Sequence, residues 1–149
     1  MKNKTETDSK VRVRTWLKIL KTSHFIEKYL RERLRDDHHT TLPRFDVMSA
    51  LQRAPNGLKM SELSGVLKVS NGNITGIIDR LVHEGYVERT PIKGDRRAYL
   101  ASLTKKGSTT FQKYALQHEL WINKLLSDIS LDDAKMITSL LSSITEKET

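Results

Sequence analysis

The chain has 149 residues, of which 37% are hydrophobic and 30% charged, and it carries a formal net charge of +8 without a single cysteine. That length suits one domain with a proper core, and the missing cysteine excludes disulfides, thiolate zinc sites, cysteine-held iron–sulfur clusters and thiol redox sensing. A cytoplasmic protein is expected, since no apolar run approaches the roughly 18 residues of a membrane span and no apolar segment follows Met1-Lys2-Asn3-Lys4 as a secretory signal requires.

In chain order, the polar stretch 1–10 reads as a disordered tail, which leaves residues 11–149 as a single protomer. Over 13–34 the apolar residues Val13, Trp16, Leu17, Leu20, Ile26, Leu30 and Leu34 recur at helical spacing. Asp36-Asp37-His38-His39-Thr40-Thr41 breaks that period, and Pro43 suits the first turn of a second helix carrying Phe45, Val47, Met48 and Leu51. Pro55-Asn56-Gly57 stops it. A short helix over 62–68 turns Leu63, Val66 and Leu67 inward. Ser70 then reads as the N-cap of a helix over 70–84 with Ile74, Ile77, Ile78, Leu81 and Val82 on one face, and Gly85 takes the C′ position.

Two β-like runs follow, 86–90 and 99–103, joined by a longer loop over 91–98 with a Gly-Asp turn. Thr104 caps the longest helix, whose apolar face holds Phe111, Tyr114, Ala115, His118, Trp121, Ile122, Leu125 and Leu126. Ser130-Leu131-Asp132-Asp133 resembles a capping box and opens a last helix with Ile137, Leu140, Leu141 and Ile144. The expected class is mainly α with a small β-hairpin wing (α+β), because two helices joined by a tight turn and followed by a hairpin make a winged helix-turn-helix.

The positive balance, with a pI near 9.8, points to a polyanion: nucleic acid or an anionic membrane surface. The exposed groups on the second helix of the pair favour double-stranded DNA over a membrane. Ser70, Asn71, Gly72, Asn73, Thr75 and Gly76 lie at the end that reads base edges in the major groove, and asparagine can pair bidentately with adenine. Gly72 and Gly76 each cost about 1 kcal/mol in a helix, which fits close approach of the backbone to something, either DNA or the preceding helix. Lys93, Arg96 and Arg97 surround Asp95 at the hairpin tip. Arginine there can enter a minor groove or clamp phosphate, although an ordinary solvated turn has the same composition.

Asp95-Arg96-Arg97 followed by Tyr99-Leu100-Ala101-Ser102-Leu103-Thr104-Lys105-Lys106-Gly107 resembles the wing signature of the MarR family, D-x-R and then a strand ending L-T-x-x-G. Gly57-Leu58-Lys59-Met60-Ser61-Glu62-Leu63, Ile78-Asp79-Arg80-Leu81 and Glu84-Gly85-Tyr86-Val87 are similar too, so the resemblance covers about residues 11–146. It implies a homodimer built by helices in 11–37 and 104–146, with a DNA-binding lobe over 42–103 and recognition helices in successive major grooves. It further implies a minor-groove role for Arg97, oriented by Asp95. Arg80 is a further DNA-contact candidate. Lys59 stands where relatives have Thr or Ser and has no acceptor for a helix start, so a phosphate contact is expected instead.

Relatives are commonly ligand-responsive repressors released from DNA by small aromatic molecules. The stretches 42–46 and 70–76 resemble a branch that responds to aromatic acids, including aromatic acyl thioesters. Candidate ligand residues are Trp16, His24, His38, His39, Arg44 and Phe45, with Trp16 and Phe45 also readable as core. No cofactor or metal is expected. His38 and His39 beside Asp36 and Asp37 could hold one, but they read better as a charged loop. Nor does a phosphate loop, nucleophile elbow or metal-spaced cluster suggest an enzyme. A winged helix serving sequence-neutral DNA binding or protein contacts remains the alternative.

Overall fold

A computed structural model describes the backbone of residues 4–67 and 71–148, and the side chains of 7–65 and 73–147. The elements are α1 (Lys4–His38), α2 (Leu42–Gln52), β1 (Leu58–Lys59), α3 (Met60–Leu67), α4 (Asn71–His83), β2 (Val87–Ile92), β3 (Asp95–Leu103), α5 (Lys105–Leu125) and α6 (Leu131–Thr145), with a short 3-10 turn at Glu146–Glu148. Contacts divide the chain into two units, one running to Leu116 and the other from Gln117.

The first unit holds the core. Leu34, Val47, Met48, Leu51, Leu63, Ile74, Ile78, Leu81 and Val87 are fully buried. They come from α1, α2, α3, α4 and β2, so the helix-turn-helix and the wing share one apolar interior. Helix α2 is started as its sequence suggests: Thr41 Oγ1 accepts from the Arg44 amide at 3.3 Å, and Pro43 lies in the first turn. Helix α4 ends in a Schellman motif. Gly85 at φ +82° donates its amide to Val82 O, and Tyr86 donates to Leu81 O.

Three expectations are corrected here. Residues 4–10, within the stretch read as a disordered tail, belong to α1, whose 35 residues contain no Gly or Pro. The break expected at 36–41 is confined to its end, where His39 takes a left-handed φ of 53°. The wing is a three-stranded sheet in the order β1-β3-β2, and its β2–β3 turn contains only Lys93 and Gly94. Ile92 pairs with Asp95 and Pro91 with Tyr99, so Arg96, Arg97 and Ala98 form an irregular bulge on β3 in place of the longer loop expected.

The second unit comprises the end of α5 and all of α6. Ser130 caps α6 as expected, its Oγ accepting from the Asp133 amide at 3.1 Å. Trp121 is buried, yet no residue of α6 is. His118, Ile122, Leu126 and Leu131 help line a cavity of ≈ 730 Å³ within this unit. Among the described residues no helix is long and apolar enough to cross a membrane.

Candidate nucleic-acid interface

Helix α4 divides cleanly. Ile74, Ile78 and Leu81 are fully buried, while Asn73, Thr75, Gly76, Asp79, Arg80 and His83 are exposed. The exposed face therefore carries an amide, a hydroxyl and a guanidinium, which can pair with base edges and phosphates. A Cβ built on Gly76 would meet nothing within 4 Å. Among the described residues nothing packs on that glycine, and its face is exposed. Ser70 lies outside the described residues, and of Asn71 and Gly72 only the backbone is described, as part of α4.

The wing brings Arg97 to the same cleft as the start of α3. Lys59, Ser61, Asp95, Arg97 and Tyr99 line a cavity of ≈ 550 Å³, and all but Asp95 can donate hydrogen bonds to phosphate. Lys93, Arg96 and Arg97 are exposed. Asp95 acts on Arg97 differently from expectation: its Oδ1 accepts from the Arg97 backbone amide at 3.0 Å. It fixes the bulge that presents the side chain, leaving the guanidinium available. Lys59 is the residue before α3, and Glu62 Oε1 accepts from its amide at 3.1 Å. That is one half of a capping box, so the start of α3 has a cap despite lacking a Ser or Thr. Ser61 and Tyr99 were not singled out from sequence. Tyr99 stood inside the wing signature, but only the bulge turns it toward Lys59 and Arg97.

The wing is rooted by the L-T-x-x-G segment. Thr104 Oγ1 donates to Gly85 O at 2.7 Å and accepts from the Gly107 amide at 3.0 Å, capping α5 while tying it to the end of α4. A Cβ on Gly107 would lie 2.0 Å from Tyr86 O, so only glycine fits. Lys106 donates to Glu84 O at 2.9 Å and lies over the Tyr86 ring. Two charged pairs complete the scaffold. Arg44 on α2 grips both Glu84 oxygens, and this guanidinium holds the Glu84 carboxyl below its usual range. Arg89 on β2 pairs with Asp79 on α4.

The six candidate ligand residues do not assemble within one protomer. Trp16 and His38 both lie on α1, about 33 Å apart along its axis. Trp16 and His24 are exposed, whereas Phe45 is buried with its ring 5.4 Å from that of Phe111. Phe45 is therefore core, and Trp16 is not. His38 packs on Tyr114 at 4.8 Å between ring centres, and burial raises the Tyr114 pKa above its ordinary value. Arg44 is engaged by Glu84, yet its Nε is buried without a hydrogen-bond partner among the described residues. No group of three or more metal-ligating side chains occurs among the described residues.

The sequence model of the MarR family matches residues 40–99. A MarR family transcriptional regulator from Silicibacter pomeroyi has a crystal structure that is 33% identical, covers 99% of this chain and 100% of that one, and superposes with a TM-score of 0.78. A crystal structure of a mutant MarR from E. coli complexed with operator DNA is 28% identical, covers 85% of this chain and 89% of that one, and has a TM-score of 0.73. The HTH-type transcriptional regulator PecS of Dickeya dadantii (strain 3937) is 30% identical over 99 residues, 65% of this chain and 60% of its own length. The matched segments span 55–60% of the first curated relatives.

Proposed function

The chain belongs to the MarR family, and on that premise we propose that it is a transcriptional regulator binding a pseudo-palindromic DNA operator as a homodimer in the cytoplasm, not an enzyme. One observation carries the reading. The open polar face of α4 is accompanied by a cleft in which Lys59 and Arg97 converge from different elements. A helix for the major groove beside a basic wing is what direct readout combined with backbone clamping requires. Residues 42–103 form the DNA-binding lobe. The exposed apolar residues Val13, Trp16, Leu17 and Phe25 of α1, and separately Ile137, Leu140, Leu141 and Ile144 of α6, are surfaces that a second copy would cover. Repression follows from occupancy of the operator.

Selection of bound sequences from a random duplex pool at near-physiological salt tests this. A regulator enriches a palindrome with half-sites about 34 Å, one helical turn, apart; tight binding without enrichment would identify a sequence-neutral binder, and no binding would remove the DNA reading. On the selected duplex, Arg97→Ala is expected to weaken binding about 30-fold with a shallower salt dependence, measured by fluorescence anisotropy.

The proposed effector is a small aromatic acid or its acyl thioester. Arg44 supports this as a partly buried guanidinium with an unsatisfied Nε, positioned where an incoming anion would compete with Glu84. Because Glu84 follows the last residue of α4, such competition would reach the recognition helix and shift its population away from the DNA-binding arrangement. Titrating the protein–duplex complex with a hydroxycinnamate and with its thioester tests the idea, and a duplex that neither compound releases counts against it.

A further inference from the structure

Asp79 stands within the exposed face of α4, one turn after Thr75 and Gly76 and one turn before His83. A carboxylate there opposes phosphate, so electrostatics alone favours its removal. Its partner is Arg89, whose Nη2 donates to Asp79 Oδ1. The pair is substantially exposed, with side chains 34% and 56% accessible for Arg89 and Asp79. Exposed pairs of this kind contribute little to stability, so folding alone gives a weak reason for placing a carboxylate on this face.

The location of Arg89 supplies a better one. Its backbone lies opposite Ala101 of β3, and Ala101 is also the partner of Leu58 on β1. Arg89 therefore lies midway along the edge strand β2, three residues before its end at Ile92, and its cross-strand partner Ala101 on the central strand is buried. Asp79 is equally well rooted, since its neighbour Ile78 is fully buried. The guanidinium–carboxylate contact thus joins two fixed points, one on the recognition helix and one on the sheet that carries Arg97.

We infer that Asp79 and Arg89 are positioning residues that brace the recognition helix against the wing, so that α4 and Arg97 engage one duplex in a fixed relative placement. This rests on the DNA-binding reading above and adds a specific claim to it: a negative charge on the DNA-facing helix strengthens DNA binding. A direct phosphate contact by Arg89 makes the opposite claim, because releasing Arg89 from Asp79 would then improve binding.

The sign of the Asp79→Asn effect on the selected duplex decides between them. The brace requires affinity to fall about tenfold, and it requires Arg97→Ala to cost only about threefold in the Asp79→Asn background, against about 30-fold alone, because an unbraced wing no longer meets its groove in register. Arg89→Lys, which keeps the charge, should stay within about threefold of wild type. Thermal unfolding establishes that each variant is folded. If Asp79→Asn does not fold, Arg89→Gln replaces it, and its coupling to Arg97→Ala is read in the same way. Tighter or unchanged binding by Asp79→Asn, or equal Arg97→Ala losses in both backgrounds, overturns the brace while leaving the regulator reading intact. A wild-type chain that binds no duplex overturns both.

Discussion

Helices α4 and α6 are written with the same apolar rhythm and end in opposite states. Ile74, Ile78 and Leu81 of α4 are fully buried, whereas Ile137, Leu140, Leu141 and Ile144 of α6 are 43%, 62%, 40% and 60% exposed. Periodicity announces that a helix face will be covered, but it does not say by what. For α4 the cover is the chain's own core. For α6 we assign it to a second copy, since a row of exposed Leu and Ile is a poor solvent-facing surface.

Matched substitutions break the comparison most forcefully. Ile78→Asp puts an unpaired charge into the lobe and should cost about 4 kcal/mol or more, enough to unfold a marginal domain. Leu140→Asp should leave the helical circular dichroism of the protomer unchanged and raise the dimer dissociation constant at least ~100-fold, the scale of an interfacial hot spot. Analytical ultracentrifugation reads the second effect. A Leu140→Asp protein that remains dimeric would show that α6 is not at the interface.

Gly107 tests the rooting of the wing, the feature that most separates the lobe from the second unit, the C-terminal helical hairpin made by the end of α5 and α6. An alanine Cβ would collide with Tyr86 O, so Gly107→Ala should destabilise the lobe by about 3 kcal/mol in urea unfolding. Gly76→Ala makes the opposite prediction inside the same lobe. Its Cβ meets open space, so the helix should gain about 1 kcal/mol, while operator affinity falls if the DNA backbone needs that space. A variant both more stable and equally tight would refute close approach at Gly76.

The sequence revealed what depends on neighbours along the chain. Ser130, Thr104 and Gly85 were legible because caps and C′ glycines act within a turn. Strand β1 was not, being only Leu58–Lys59 and existing through its pairing with Leu100 and Ala101. Arg44–Glu84 and Asp79–Arg89 were equally hidden, since their members are 40 and 10 residues apart and ion pairs across a fold have no spacing rule. Trp16 shows a third limit: its position in the apolar stripe was clear, yet within the protomer it is exposed. The basic tip was legible in composition, whereas the bulge that aims Arg97 and Tyr99 depends on a register shift between two strands.

The smallest effect sharpens the contrast through pH. In the C-terminal hairpin, burial lowers the pKa of His118 below its ordinary 6.5. The unfolded chain therefore binds a proton there more readily than the folded one, and stability should decline as pH falls below about 6.5 toward the depressed folded value. In the lobe, Arg44 depresses Glu84 below its usual 4.5, so that contribution is complete above about 4.5 and is lost only as pH drops further. Between pH 7.5 and 5.5 the hairpin should weaken while the Arg44–Glu84 junction holds. Amide hydrogen exchange resolves the two regions: protection in α6 should fall over that interval, protection in α4 should persist, and His118→Gln should abolish the part of the pH response that belongs to the hairpin. Equal loss in α4 and α6 would mean that they open as one cooperative unit, and the contrast between a self-covered helix and a partner-covered one would then not extend to their stability.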